Sequence, residues 1–308
     1  MKRSFRDFLV TLALALLVFA IVSIFLVKAA EGLMGDVVEK VGSQGETQEE
    51  VEEAVEPEAE NPEETAEEQP QKEDRVLTML ILGLDESGKI AQTILLVGFN
   101  ATKEHMTLSL IPSNTVVSDQ EGKYQLGALF SSRGINFYKE FIQKETGVLA
   151  DHYAVMPTSA LSNFVDIIGG VSYNVPETMQ TFDAEQKLNI NLQQGEQTLN
   201  GEGAVQLFCY NGYANGLTGK EDACLGFIRA LCTSFLVPSN AERAPGIWNN
   251  LYHNCQTDFE TSDLKEWSDV IFNATSYDQT FIRIPGAQSG SYYAISDGRA
   301  KKLFEMYK

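Results

Sequence analysis

Residues 93–115 read TILLVGFNATKEHMTLSLIPSNT, and this stretch decides how the chain folds. Residues 93–99 (TILLVGF) form an apolar, β-rich run, and 105–111 (HMTLSLI) alternate until Pro112 stops them. The link at 100–104 is short enough for a hairpin, so the two strands should pair antiparallel. Upstream, 76–82 (VLTMLIL) is a third strand, ended by Gly83. Downstream the spacing predicts a helix over 134–146, a strand over 152–156 and a helix over 158–168. In the last of these Leu161, Phe164, Val165 and Ile168 share one face. Thr158 is its expected N-cap, and Gly169-Gly170 should end it before a strand at 171–175. Further helices are expected near 200–208, 222–237, 240–255 and 263–273, then a strand at 280–284 and a terminal helix from Asp297. Strands alternating with helices argue an α/β core over residues 76–308.

Ahead of that core, residues 8–27 (FLVTLALALLVFAIVSIFLV) carry no charge, and twenty helical residues span the ~30 Å hydrocarbon core of a bilayer. Lys2, Arg3 and Arg6 precede this run and Glu31, Asp36 and Glu39 follow it. The expected topology is therefore a cytoplasmic N-terminus at 1–7 and an extracytoplasmic remainder, a single-pass protein of the cell membrane. Ala29 and Ala30 also fit a signal-peptide processing site, and either reading exports the rest of the chain. The formal net charge is −20, and residues 46–74 hold fourteen acids against Lys72. With Pro57, Pro62 and Pro70 and few large apolar residues, the segment 28–75 is expected to be an acidic, disordered stalk. No basic stripe suits a phosphate backbone, so nucleic acid is excluded as a partner.

Cys209, Cys224, Cys232 and Cys255 are an even set in an exported chain. A helix over 222–237 would separate Cys224 and Cys232 by ~12 Å, too far for a bridge. That favours Cys209 with Cys224 and Cys232 with Cys255, with four buried thiols as the other outcome.

Four segments together resemble the LytR-CpsA-Psr family of envelope proteins: ILGLDES at 81–87, the opening stretch at 93–115, HYAVMPTSALSNFVDIIGGVSYNVPETM at 152–179, and LNGEGAVQLF at 199–208. The resemblance implies a central mixed β-sheet flanked by helices. It also implies a Mg²⁺-dependent transfer of glycopolymer phosphate from a polyprenyl pyrophosphate carrier to the cell wall, with an apolar cavity for the polyprenyl tail. The membrane, through the N-terminal helix, and a polyprenyl-linked or cell-wall glycan are then the expected partners. The older family label of transcriptional attenuator disagrees with the topology.

Such chemistry needs arginines that bind phosphate oxygens bidentately and carboxylates that hold Mg²⁺. By resemblance Asp85 occupies the position of the catalytic, metal-associated aspartate. The family's Arg-x-Asp-Thr is replaced by Ile90-Ala91-Gln92-Thr93, and its Ile-Pro-Arg-Asp-Thr by Ile111-Pro112-Ser113-Asn114-Thr115. Its Arg-Tyr-Arg run reads Cys209-Tyr210-Asn211, and its Gly-Arg-x-x-Arg-Gln is matched to 226–231 (GFIRAL), leaving Arg229 out of register. Arg229, Arg133 and Arg283 are the surviving candidates for the pyrophosphate. Each also fits a simpler role, Asp85 as a turn residue and the arginines as surface side chains laid on the fold. Two functions follow: a transferase with a rearranged site, or a weakened or inert relative that binds lipid or glycan as a scaffold in envelope assembly.

Overall fold

A computed structural model of the chain describes residues 75–184 and 187–308. The anchor expected at 8–27 and the stalk expected at 28–75 lie outside the described residues, Arg75 excepted. Strands β1 (Val76–Leu84), β2 (Ala91–Asn100) and β3 (His105–Ile111) form an antiparallel meander, with Leu82 opposite Ile94 and Val97 opposite Leu108. A small hairpin of β4 (Val116–Ser118) and β5 (Lys123–Gln125) leads into helix α1 (Phe130–Thr146), bent where Gly134 takes φ 64°. Strand β6 (His152–Met156) returns parallel to β1.

Helix α2 (Thr158–Ile167) starts one residue after Pro157, which is its N-cap and makes no side-chain bond to it. Thr158 is therefore the first helical residue rather than the expected cap, because the preset φ of proline already orients the entering chain. Gly169 and Gly170, at φ 92° and 86°, end the helix as expected. Next come β7 (Val171–Val175), the hairpin β8 (Met179–Asp183) and β9 (Leu188–Leu192), and β10 (Gly195–Leu199), which pairs back on β7. Helix α3 (Gly201–Cys209) is capped by Asn200, whose side chain accepts from the Gly203 amide at 2.9 Å. A Cβ on Gly201 would sit 2.2 Å from the Ser162 carbonyl, so only glycine lets α2 and α3 lie this close.

Helix α4 (Gly216–Phe235) begins six residues before the sequence suggests. Helix α5 (Ala244–Tyr252) is shorter than expected, because Pro245 fits only a first turn, where its missing N–H costs nothing. Strand β11 (Gln256–Thr257), α6 (Thr261–Phe272), β12 (Asp278–Arg283), the hairpin β13 (Gly286–Ser289) and β14 (Tyr292–Ile295), and α7 (Asp297–Leu303) complete the chain. The main sheet runs β11-β6-β1-β2-β3-β12. Pairs β1·β6 and β3·β12 are parallel and the others antiparallel, so the sheet is mixed and the domain α/β.

Strand β2 sends alternate residues to opposite faces. Ile94 and Leu96 join Leu80, Leu82, Tyr138 and Phe304 in a core under α1 and α7. Leu95 and Val97 join Leu108, Ile228, Leu264 and Phe272 under α4, α5 and α6. A third cluster around Val165, Met179, Leu207 and Phe227 joins α2, α3 and the smaller strands.

Candidate functional site

The face under α4, α5 and α6 is hollow. A cavity of about 290 Å³ lies between the sheet and these helices, walled by Ile81, Leu95, Leu108, Ile228, Leu231 and Phe272 among others. Edge-on ring pairs line it: Phe164 with Phe235 at 5.3 Å, and Trp248 with Phe259 at 5.3 Å. Interiors normally close to crystal density, so an apolar hollow of this size leaves room for an apolar guest. Apart from its thiols, the polar side chains on the cavity wall are Gln92, Thr93, Thr158 and Trp248, whose indole N–H is buried without a hydrogen-bond partner.

The cavity wall includes Gly83, Leu84 and Gln92, at the end of β1 and the start of β2, together with Cys209. Here Lys220, 8% exposed, donates from Nζ to Gln92 Oε1 at 3.2 Å and to Asn211 Oδ1 at 2.8 Å. Burial lowers its pKa, opposed by nearby groups that include the Asp183 and Glu221 carboxylates. An ammonium has three donors, and these two partners are neutral amides. Lys220 is thus a buried cation with neutral bonded partners, held beside the chamber through the lining residue Gln92. Sequence reasoning missed it, although the glycine-cation start of the family's Gly-Arg-x-x-Arg-Gln also fits Gly219-Lys220, seven residues before the register chosen.

Asp85 follows β1 directly and is 8% exposed. Its Oδ1 accepts from the Lys89 and Ile90 amides at 2.9 and 3.0 Å, and its Oδ2 from the Ser87 hydroxyl at 2.6 Å. Burial pushes the carboxyl up, but the bonds from Ser87, Ile90 and Lys89 outweigh it and hold the pKa below the ordinary value. The carboxylate closes its own β1–β2 turn, the turn chemistry that Gly83 and Gly88 suggest. Three of its roughly four lone-pair sites are engaged. Among the described residues no group of three or more His, Cys, Asp or Glu is gathered for a cation. Asp85 as placed thus offers Mg²⁺ about one open lone-pair site.

The three arginines are dispersed. Arg133 donates to Asp119 at 2.5 Å and stacks over Phe137. Arg229 is exposed, with its guanidinium over the Phe281 ring and a weak bond to the Phe281 carbonyl at 3.5 Å. Arg283 lies 2.6 Å from Glu221 Oε2 through Nε and donates to Asp222 at 2.9 Å. Arg229 and Arg283 both lie on the seam between α4 and β12. Yet Asp222, which holds one, and Arg229 are two helical turns apart, ~10 Å. Each guanidinium is held by a protein carboxylate or an aromatic ring. The expected bridges are also absent: all four cysteines are thiols, three of them buried. Burial pushes Cys209 and Cys255 up to about 11 and Cys224 and Cys232 up to about 12, so each is an inert apolar residue.

The fold is similar to several solved structures. Bacillus subtilis TagV shares 17% identity at a TM-score of 0.63, over 76% of this chain and 98% of that one. A Eubacterium siraeum protein described as a transcription regulator shares 17% at 0.65, over 83% and 100%. TagT bound to LIIa-WTA shares 15% at 0.58, over 76% and 90%. No curated protein matches the sequence. Identities this low speak for the architecture alone, but a LytR_cpsA_psr family model matches residues 41–308, the whole of the sheet and its helices, and the chain belongs to that family.

Proposed function

We propose that this protein is a membrane-anchored, extracytoplasmic member of the family that holds the tail of a polyprenyl-linked glycan in its apolar hollow, with phosphate transfer weakened or lost. The observation that carries this reading is the pairing of a chamber of about 290 Å³ with Lys220, the one buried cation among the described residues. The chamber suits an isoprenoid chain, and Lys220 suits one phosphate of its head group. A full transferase would need several cations on a pyrophosphate, and an ammonium is a point charge without the bidentate fork of arginine. That TagT, of similar fold, has been seen bound to LIIa-WTA agrees with a lipid-linked glycan as the class of ligand.

The test uses the full chain in lipid nanodiscs with a short-chain polyprenyl pyrophosphate. Its melting temperature should rise, and Lys220→Met should weaken binding by about tenfold, as loss of one charge-assisted hydrogen bond would. No shift with the wild-type protein sinks the lipid reading. Release of polyprenyl phosphate that disappears in Asp85→Ala would restore the active transferase instead.

A further inference from the structure

A second cleft, polar where the hollow is apolar, lies between the first turns of α4 and the β13–β14 hairpin. It encloses about 410 Å³ and is lined by Asn215, Thr218, Glu221, Arg283, Gln288 and Tyr293. Lys220 and Glu221 are neighbours in one helix, about 100° apart, so the lysine reaches Gln92 beside the hollow while the glutamate lines the cleft.

Glu221 is 8% exposed: its Oε2 lies 2.6 Å from Arg283 Nε in an ion pair, and both that Nε and Glu221 Oε1 are buried without a hydrogen-bond partner. Buried acceptors are nearly always satisfied, so an orphan oxygen in a cleft wall marks where a donor is to come. Arg283 directs Nη2 to the Thr218 carbonyl at 3.3 Å and to Asp222 at 2.9 Å, contacts that leave Nη1 unused. At the rim, Asn215 and Gln288 are exposed amides; Asn215 stands at the N-cap position of α4 without making a cap bond, while Gln288 accepts from Asn114 Nδ2 at 3.2 Å and donates to the Gly290 carbonyl at 2.8 Å, keeping one N–H and one lone pair for a ligand.

This set of groups selects among ligands. An anion would meet two carboxylates that already neutralise Arg283, and a cation would meet Arg283 itself. An apolar chain would strand the orphan oxygen. A neutral ligand with donors and acceptors side by side satisfies both groups. Two adjacent hydroxyls of a sugar ring do so, one donating to Glu221 Oε1 and the other accepting from the guanidinium.

We propose that this cleft is a saccharide subsite in which Glu221 and Arg283 grip neighbouring hydroxyls of one sugar ring, while Asn215 and Gln288 bond the next. The assignment deepens the envelope-glycan reading and rests on it for the choice of sugar. Burial also raises Glu221 to about 7, so near neutrality the carboxyl exchanges between a form that only accepts and one that also donates, which suits a hydroxyl partner.

The test titrates the full chain in nanodiscs with chitotetraose, followed by calorimetry and by saturation-transfer NMR. Saturable binding is expected, weakened roughly threefold or more in Asn215→Ala and Gln288→Ala, as loss of one neutral hydrogen bond implies. Glu221→Gln should weaken it further. Asn215→Ala replaces an exposed residue that makes no cap bond and keeps the fold, and its response to the polyprenyl pyrophosphate should equal that of wild type. Absence of saturable chitotetraose binding overturns the proposal, and so does binding that all three variants leave unchanged. Saccharide binding that persists where the lipid gives no thermal shift supports the cleft and overturns only the lipid reading.

Discussion

The two faces of the central sheet are built from the same strands and finished differently. Under α1 and α7 the side chains close into a solid layer, with Leu96 and Phe304 fully buried and the Tyr138 hydroxyl donating to the Leu126 carbonyl at 2.5 Å. Under α4, α5 and α6 residues from the same strands line open space. Alternation along β2 makes both faces apolar, so hydrophobicity does not distinguish them. What differs is the space left beneath α4, α5 and α6, whose edge-on aromatic pairs border it. One face contributes stability, and the other gives up part of it to keep a chamber.

Adjacent residues of β2 test this contrast most severely. Leu96→Ala, on the solid face, should cost about 4 kcal/mol in denaturant unfolding, and Leu95→Ala, which borders existing space, about 2. Equal losses would mean that the hollow is closed in solution. Enlarging a side chain reverses the order. Ala300→Leu should overpack the solid face by about 2 kcal/mol, whereas Ala154→Leu fills the chamber at nearly no cost and blocks the polyprenyl ligand.

Asp85→Ala should lower stability by about 1–2 kcal/mol, because the Lys89 and Ile90 amides lose their acceptor, with Asp85→Asn falling between the two. A stability unchanged by the alanine would remove the turn role. The smallest effect concerns pH. Glu221 keeps its proton to about pH 7 in the folded chain against 4.5 ordinarily, so between these values the native state binds more protons and stability falls as pH rises. Glu221→Gln lacks this loss, and its melting temperature relative to wild type should climb from pH 5 to pH 8, by the equivalent of about 1 kcal/mol.

The fold was legible where periodicity is strong. The meander at 76–111, the turn of α2 into Gly169-Gly170 and the strand before it all lie where their residues indicate. The hairpins β4–β5, β8–β9 and β13–β14 escaped notice because they are short and largely polar, and are held by pairing rather than by an apolar face. The first turns of α4 were hidden by Gly216 and Gly219, poor helix formers that tertiary contacts override. At the site, attention to arginine obscured Lys220, whose meaning comes from burial against Gln92 and Asn211, groups 128 and 9 residues away. Long-range neighbours of that kind have no local signature.

Arg229 has a consequence of another sort. Strand β12 pairs with β3 and ends the sheet, so its outer backbone groups offer a template on which a second molecule could build. Phe281 and the exposed Ile282 would make such an addition adhesive. A guanidinium laid flat over the Phe281 ring, with one N–H toward its carbonyl, puts a charge across that border. Arg229, expected from the sequence to meet phosphate, thus lies where a charge opposes edge-to-edge pairing of sheets.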